Sequence, residues 1–301
     1  VNPLGGAALS SFGSICDNEA AFTITGGTPT GGSYLVNGVS ATSFDPGATG
    51  TGIHTISYVF TTALGCTDTS SQLITVNASP TVSLASFANQ CAGNSAFTLS
   101  GGNPSPGNYF INGVVGTNFN PGTLGAGTYT IKYDHVNGSS CRDSAFSTIT
   151  VLAQPTVTLG PLADVCLNDS IVSLSGASPS GGSFSGNGVS GTSFDPAMAG
   201  VGTQVITYLF TDTSSCTDSA QQNLIVKPLP IIRALQDTGI CIGDTASFTV
   251  GGGITYTWSP ASSLDNPTSA APKAFPTTTT RYFVTGTTLN SCSTFDSIAV
   301  V

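Results

Sequence analysis

YLVNGVSATSFDPGATGTGIHTISYVF, residues 34–60, returns as YFINGVVGTNFNPGTLGAGTYTIKYDH over residues 109–135 and as FSGNGVSGTSFDPAMAGVGTQVITYLF over residues 184–210. A fixed period of 75 residues means that one structural unit is repeated along the chain. Inside the stretch, Ile56, Tyr58 and Phe60 alternate with polar neighbours, the period of a half-buried strand. Asn37-Gly38 between apolar arms is the signal for a type I′ hairpin. Working outward, AFTIT (21–25) turns Phe22 and Ile24 inward, LITV (73–76) closes the unit, and TVSL (81–84) opens the next. The polar residues are mostly Ser, Thr, Gly and Asn and the apolar ones Val, Ile, Phe and Tyr, which favours strands and turns and nearly excludes helices. Six short antiparallel strands per unit predict an all-β, two-sheet sandwich.

The cysteines keep the same beat. Cys16, Cys91, Cys166 and Cys241 are 75 residues apart, and Cys66, Cys141, Cys216 and Cys292 each follow about 50 residues later. This divides the chain into four domains, 1–77, 78–152, 153–227 and 228–301, each with one disulfide. A domain of about 75 residues buries roughly 60–65% of its unfolded surface and is marginal from its core alone. Closing a loop of about 50 residues adds about 4 kcal/mol in the chain-entropy model. In an up-and-down strand order both cysteines of a unit fall at the same end, so pairing within units is expected. Pairing across units, Cys66 with Cys91 for instance, is the open alternative. An even cysteine count at regular spacing indicates an oxidising compartment, and without CxxC or HxxxH clusters zinc is not implied. The fourth unit diverges: TYTWSPASSLDNP (255–267) puts Trp258 near the place of Tyr34, Tyr109 and Phe184, so a differently packed core is expected there.

Charged residues make up 7% of the chain, six Lys plus Arg against fifteen Asp plus Glu, with net charge −9. Phosphate neutralisation needs clustered cations, so nucleic acid is not an expected partner. No apolar run approaches the roughly 20 residues of a membrane helix, which argues against membrane insertion, and no signal peptide is present. Val1-Asn2-Pro3 resembles the junctions VNASP (76–80) and VKPLP (226–230), so the chain reads as four units cut from something longer. Proline in the junctions stiffens them. A semi-rigid rod of roughly 150 Å follows, at about 35–40 Å per unit.

No catalytic group recurs. His135, next to Asp134, occupies the inward position of Phe60 and Phe210 and reads as packing rather than a general base; His54 has Tyr129 and Gln204 as its equivalents. Asp45, Asn120 and Asp195 precede proline and read as Asx turns, since one carboxylate per unit is too few for calcium. Trp258 reads as core rather than a sugar platform. The triplets Asp143-Ser144-Ala145, Asp169-Ser170-Ile171, Asp218-Ser219-Ala220, Asp244-Thr245-Ala246 and Asp296-Ser297-Ile298 lie near the cysteines, where Asp and Ser cap free backbone groups.

The frame C…GGSY…NGV…SFDP…GTG…ITY…GCTD in units one to three, with YTWSP, LDNP and PTTTTRYFVTGT in unit four, resembles the immunoglobulin-like and PKD-like repeats of secreted Bacteroidota surface proteins, including gliding-motility-type adhesins of the type IX pathway. The resemblance implies a tandem array of immunoglobulin-like sandwiches, the last one PKD-like. It also implies export to the cell surface or exterior and an adhesive or spacer role; from the residues themselves no cofactor, metal or catalytic site is expected. O-glycosylation at Ser144, Ser170, Ser219, Thr245 and Ser297 is implied as well. Expected partners are other copies or neighbouring repeats in a fibre, and surface polysaccharide. The alternative reading is a set of accessory modules of a secreted polysaccharide-degrading enzyme.

Overall fold

A computed structural model describes residues 6–234 and 236–301; the Val1-Asn2-Pro3 junction lies outside them. The chain is all-β and divides into two compact units, 1–153 and 154–301.

In the first unit, a five-stranded sheet runs in the order Ile15–Cys16, Thr67–Asn77, Gly52–Thr61, Ser33–Val36, Val39–Ser40. Two small ribbons, Ala8–Leu9 with Gly27–Thr28 and Phe22–Thr23 with Ser43–Phe44, supply the second layer. Leu9 and Phe44 from the ribbons share one buried cluster with Ile56, Tyr58, Ile74 and Val76 from the large sheet. The alternation of the long strand therefore places its apolar face as expected, with Phe60 half-buried at the margin. Asn37 (φ 49°) and Gly38 (φ 84°) both lie in the left-handed region that a type I′ hairpin needs. The same sheet recurs over residues 90–152, around Phe119, Ile131, Tyr133 and Ile149.

The second unit repeats the pattern with two changes. In its first half the strand Val189–Ser190 pairs with Ser193–Phe194 and not with Ser183–Ser185. Gly186, at φ 147°, stands where the earlier repeats carry Val36 and Ile111, and the chain bends away there. In its second half the sheet is Thr255–Ser259, Thr280–Thr287, Ser293–Val300, and the core is built on Phe248 stacked on Trp258 at 5.1 Å and edge-on to Tyr282 at 5.3 Å. Trp258 is buried and its indole N–H donates to the Ser269 carbonyl, so it is a core residue with its polar atom satisfied.

A tyrosine bond explains the glycine-rich loops. The Tyr133 and Tyr208 hydroxyls donate to the Pro104 and Pro179 carbonyls at 2.6 Å, and Tyr58 does the same to Pro29. The ring passes so close to the loop that a Cβ on Gly182 would lie 2.3 Å from the Leu209 carbonyl oxygen and 2.6 Å from the Tyr208 ring. Only glycine fits. Burial also pushes the Tyr133 phenol above its ordinary pKa, with Tyr109 adding to the shift.

One expectation is corrected and one detail is added. Among the described residues three one-turn helices occur, Pro46–Thr49, Pro121–Leu124 and Pro196–Ala199. Asp45, Asn120 and Asp195 are their N-caps, with proline as the first helical residue; Asn120 and Asp195 accept from the amide two residues on, the expected Asx turn, whereas Asp45 accepts from the Ala48 amide three residues on. The strands are not all antiparallel. Ile15–Cys16 pairs parallel with the end of Thr67–Asn77, Gln90–Cys91 with Arg142–Leu152, and Val165–Cys166 with Thr217–Lys227.

Candidate functional site

The parallel strands decide the cysteine chemistry. Cys16 lies opposite Asn77 at the far end of an 11-residue strand, and Cys66 immediately precedes the near end of that strand. Ten steps of about 3.3 Å put the two roughly 33 Å apart along the strand, whereas a disulfide needs Cα atoms within about 7 Å. Pairing within repeats is excluded by the fold. Each sequence repeat thus carries its first cysteine at the trailing end of its last strand and its second at the leading end.

The bonds join consecutive repeats instead. Cys16 is bonded to Cys141 with Cα atoms 5.6 Å apart, and Cys166 to Cys292 at 5.5 Å. The expected pairs Cys16–Cys66, Cys91–Cys141, Cys166–Cys216 and Cys241–Cys292 therefore do not form, nor does the alternative Cys66–Cys91. Neither Cys91 nor Cys216 is a free thiol. Cys66 and Cys241 are free among the described residues, correcting the expectation that all eight are bonded. The first repeat's trailing end meets the second repeat's leading end, which is why first and second positions pair across the boundary.

Polar contacts surround these bonds. Asn18, two residues after Cys16, donates to the Arg142 carbonyl at 2.9 Å; Asn168, two after Cys166, donates to the Ser293 carbonyl at 3.1 Å. In the first unit Asn137 also donates to the Ala78 carbonyl at 2.8 Å, and the Ser79 amide donates to the Asp17 carboxylate at 2.9 Å. The Ser79 hydroxyl and amide beside Asp17 hold its carboxyl below the ordinary carboxylate range; the amide is the partner with hydrogen-bond geometry, while the Ser79 hydroxyl oxygen makes no hydrogen bond of its own. The linker ASP (78–80) is thus tied to both repeats it connects.

Close to the first bond, Asp134 is buried, with its carboxylate 2.9 Å from Lys132 Nζ and 3.5 Å from Arg142 Nη1. Its neighbour His135 is half-buried and its Nδ1 pairs with the Pro106 carbonyl, a packing and capping role. His54 is held by Asn37 and the Gly50 carbonyl. The carbonyl requires a proton on Nε2, so Nδ1 accepts from the Asn37 amide.

The triplet carboxylates of Asp143, Asp169, Asp218 and Asp296 are structural. Asp218 Oδ2 accepts from the Val157 amide and Oδ1 from Ser219; Asp296 does the same for Ala234 and Ser297. Asp169 accepts from the Cys166 amide across its turn. The hydroxyl residues differ in access: Ser170, Ser219 and Thr245 are exposed, whereas Ser144 and Ser297 are half-buried and Ser297 also accepts from Arg281. Among the described residues no group of three or more His, Cys, Asp or Glu is arranged to hold a metal ion, and no helix is long and apolar enough to cross a membrane.

No family model and no curated protein matches the chain. Solved structures similar to it include a Ca2+-stabilized adhesin that helps an Antarctic bacterium reach out and bind ice, at 13% identity over 98% of this chain and 100% of that one, with TM-score 0.30. Sidekick-1 immunoglobulin domains 1–5 match at 13% identity over 99% and 80%, with TM-score 0.23. The insect immune protein hemolin matches at 10% identity over 98% of each chain, with TM-score 0.23. No fold, ligand or partner is carried over to this chain from them.

Proposed function

We propose that this chain is a structural and adhesive segment of an extracellular surface protein, four immunoglobulin-like modules forming a semi-rigid stalk. The carrying observation is the position of the disulfides: Cys16–Cys141 and Cys166–Cys292 connect one repeat to the next. Bonds within repeats would stabilise cores; bonds between repeats restrict the angle at the linker, which matters to a spacer and not to a catalyst. Oxidised cysteines fit an extracellular place. Hydroxyl-rich surfaces with few charges suit contact with neighbouring copies or surface polysaccharide, and Ser170, Ser219 and Thr245 have the exposure that O-glycosylation needs.

Small-angle scattering tests the stalk. A compact 301-residue globule has a radius of gyration of roughly 19 Å; a rod of roughly 150 Å built from stacked sandwiches has about twice that. A value near the globular one removes the reading.

A further inference from the structure

The second repeat differs from its neighbours in charge and in where the charge sits. Residues 1–77 carry four acidic residues and no Lys or Arg, and residues 153–227 carry five acidic residues against one Lys. Residues 78–152 hold two of each sign, Lys132 and Arg142 with Asp134 and Asp143. Asp143 alternates with Arg142 along one strand and so lies on the opposite face, where its carboxylate accepts from the Ser144 amide. The outward face of this sheet therefore sets two cations on one carboxylate, a positive patch in a chain of net charge −9.

Strand register assembles the patch. Lys132 stands opposite Phe110 on one neighbouring strand and opposite Phe146 on the other, so ring, ammonium and ring form a row across three strands. Two strand spacings make that row about 10 Å long. Lys132 Nζ lies 5.2 Å from the Phe110 ring centroid. Asp134 anchors both cations, 2.9 Å from Lys132 Nζ and 3.5 Å from Arg142 Nη1, while their side chains stay 31% and 66% exposed. Phe146 is 64% exposed, and a recess lined by Pro106, Gly107, Asn108, Asp134 and Val136 opens on the same sheet. At the places of Lys132, Phe146 and Arg142 the first repeat has Ser57, Ser71 and Thr67, and the third has Thr207, Gln221 and Thr217. The shared sandwich does not need this row.

We propose that this face binds an acidic polysaccharide, with sugar rings laid over Phe146 and Phe110 and a uronate carboxylate accepting from Lys132 and Arg142. The proposal deepens the adhesive stalk reading, on which it rests, by naming the class of polysaccharide and the repeat that takes it. An aromatic face is electron-rich and attracts the polarised C–H groups of a sugar ring. An ammonium and a guanidinium offer charge-assisted hydrogen bonds to a carboxylate, and Arg offers two in parallel. Asp134 is a positioning residue: it holds the two cations on one side of the row and neutralises only one of them. Carboxylates in excess on the first and third repeats repel a polyanion, so charge directs it to the second.

Calorimetric titration of the whole chain at low salt, with a galacturonic acid tetramer and with the neutral galactose tetramer, tests the proposal. The acidic tetramer is expected to bind about tenfold or more tightly than the neutral one and to weaken as salt is added. Phe146→Ser and Arg142→Thr install residues that the first repeat carries at these exposed places, and each should weaken binding by about tenfold. Phe146→Tyr keeps the ring and should keep the binding, which separates loss of the platform from loss of the fold. No binding of the acidic tetramer, equal binding of the neutral one, or binding indifferent to both substitutions would overturn the proposal. So would self-association of the chain that Arg142→Thr abolishes without any binding of the acidic tetramer, since the row would then receive the acidic surface of a second copy. Scattering of the sugar-free chain reads the rod separately, so the site and the stalk fail independently.

Discussion

Cys16 and Cys141 lie 5.6 Å apart between Cα atoms across 125 residues of sequence, while Cys16 and Cys66 sit at opposite ends of the strand Thr67–Asn77. Loop closure over 125 residues is worth about 5 kcal/mol in the chain-entropy model. Each repeat has its own buried cluster, however, so reduction should loosen the joint before it melts the sandwiches. The Cys16→Ser chain is expected to keep its far-ultraviolet spectrum and to show faster amide exchange at Ser79 and Asn137. Exchange unchanged at both positions would show that the polar contacts alone fix the joint.

The contact of the Ser79 amide with Asp17 should depend on pH. The folded carboxyl titrates below its unfolded value, so its contribution is present above about pH 4 and is lost as pH falls through the folded pKa. Ser79 amide exchange measured between pH 6 and pH 2 should rise in that window beyond the intrinsic trend, and Asp17→Ala should show the raised level throughout.

The close approach of Tyr208 to its glycine loop gives a stability prediction. Gly182→Ala forces a Cβ against the Leu209 carbonyl and the ring, a backbone clash expected to cost about 3 kcal/mol. Tyr208→Phe removes the hydroxyl that donates to Pro179 and accepts from Gly182, for about 1–3 kcal/mol. Urea unfolding curves check both; a neutral Gly182→Ala would contradict the packing.

Asp134 is buried between two cations that are themselves partly exposed. Asp134→Ala leaves Lys132 and Arg142 able to rehydrate, so the loss should be about 1–2 kcal/mol, below the cost of stranding a fully buried charge. A cycle with Lys132→Ala isolates the pair: a coupling near zero would make Asp134 a packing residue only.

Exposure predicts the order of modification. On protein from the native organism, glycopeptide mapping should find Ser170, Ser219 and Thr245 occupied ahead of Ser144 and Ser297, whose side chains lie half-buried in strands. Equal occupancy of all five would show that modification precedes folding.

The 75-residue beat, the Asn37-Gly38 turn and the alternation of Ile56, Tyr58 and Phe60 were legible because hairpin turns and strand faces are local: each is set by residues within a few positions of one another. Trp258 was legible as core for the same reason. The joints were not. Spacing said that cysteines repeat, but which cysteine meets which depends on whether Ile15–Cys16 runs parallel or antiparallel to Thr67–Asn77, a pairing between segments 50 residues apart that no local pattern records. That choice of strand direction moved Cys16 from one end of its sandwich to the other, and with it turned a bond within a repeat into a bond between repeats. Local chemistry fixed the units; only long-range strand pairing decided how they are linked.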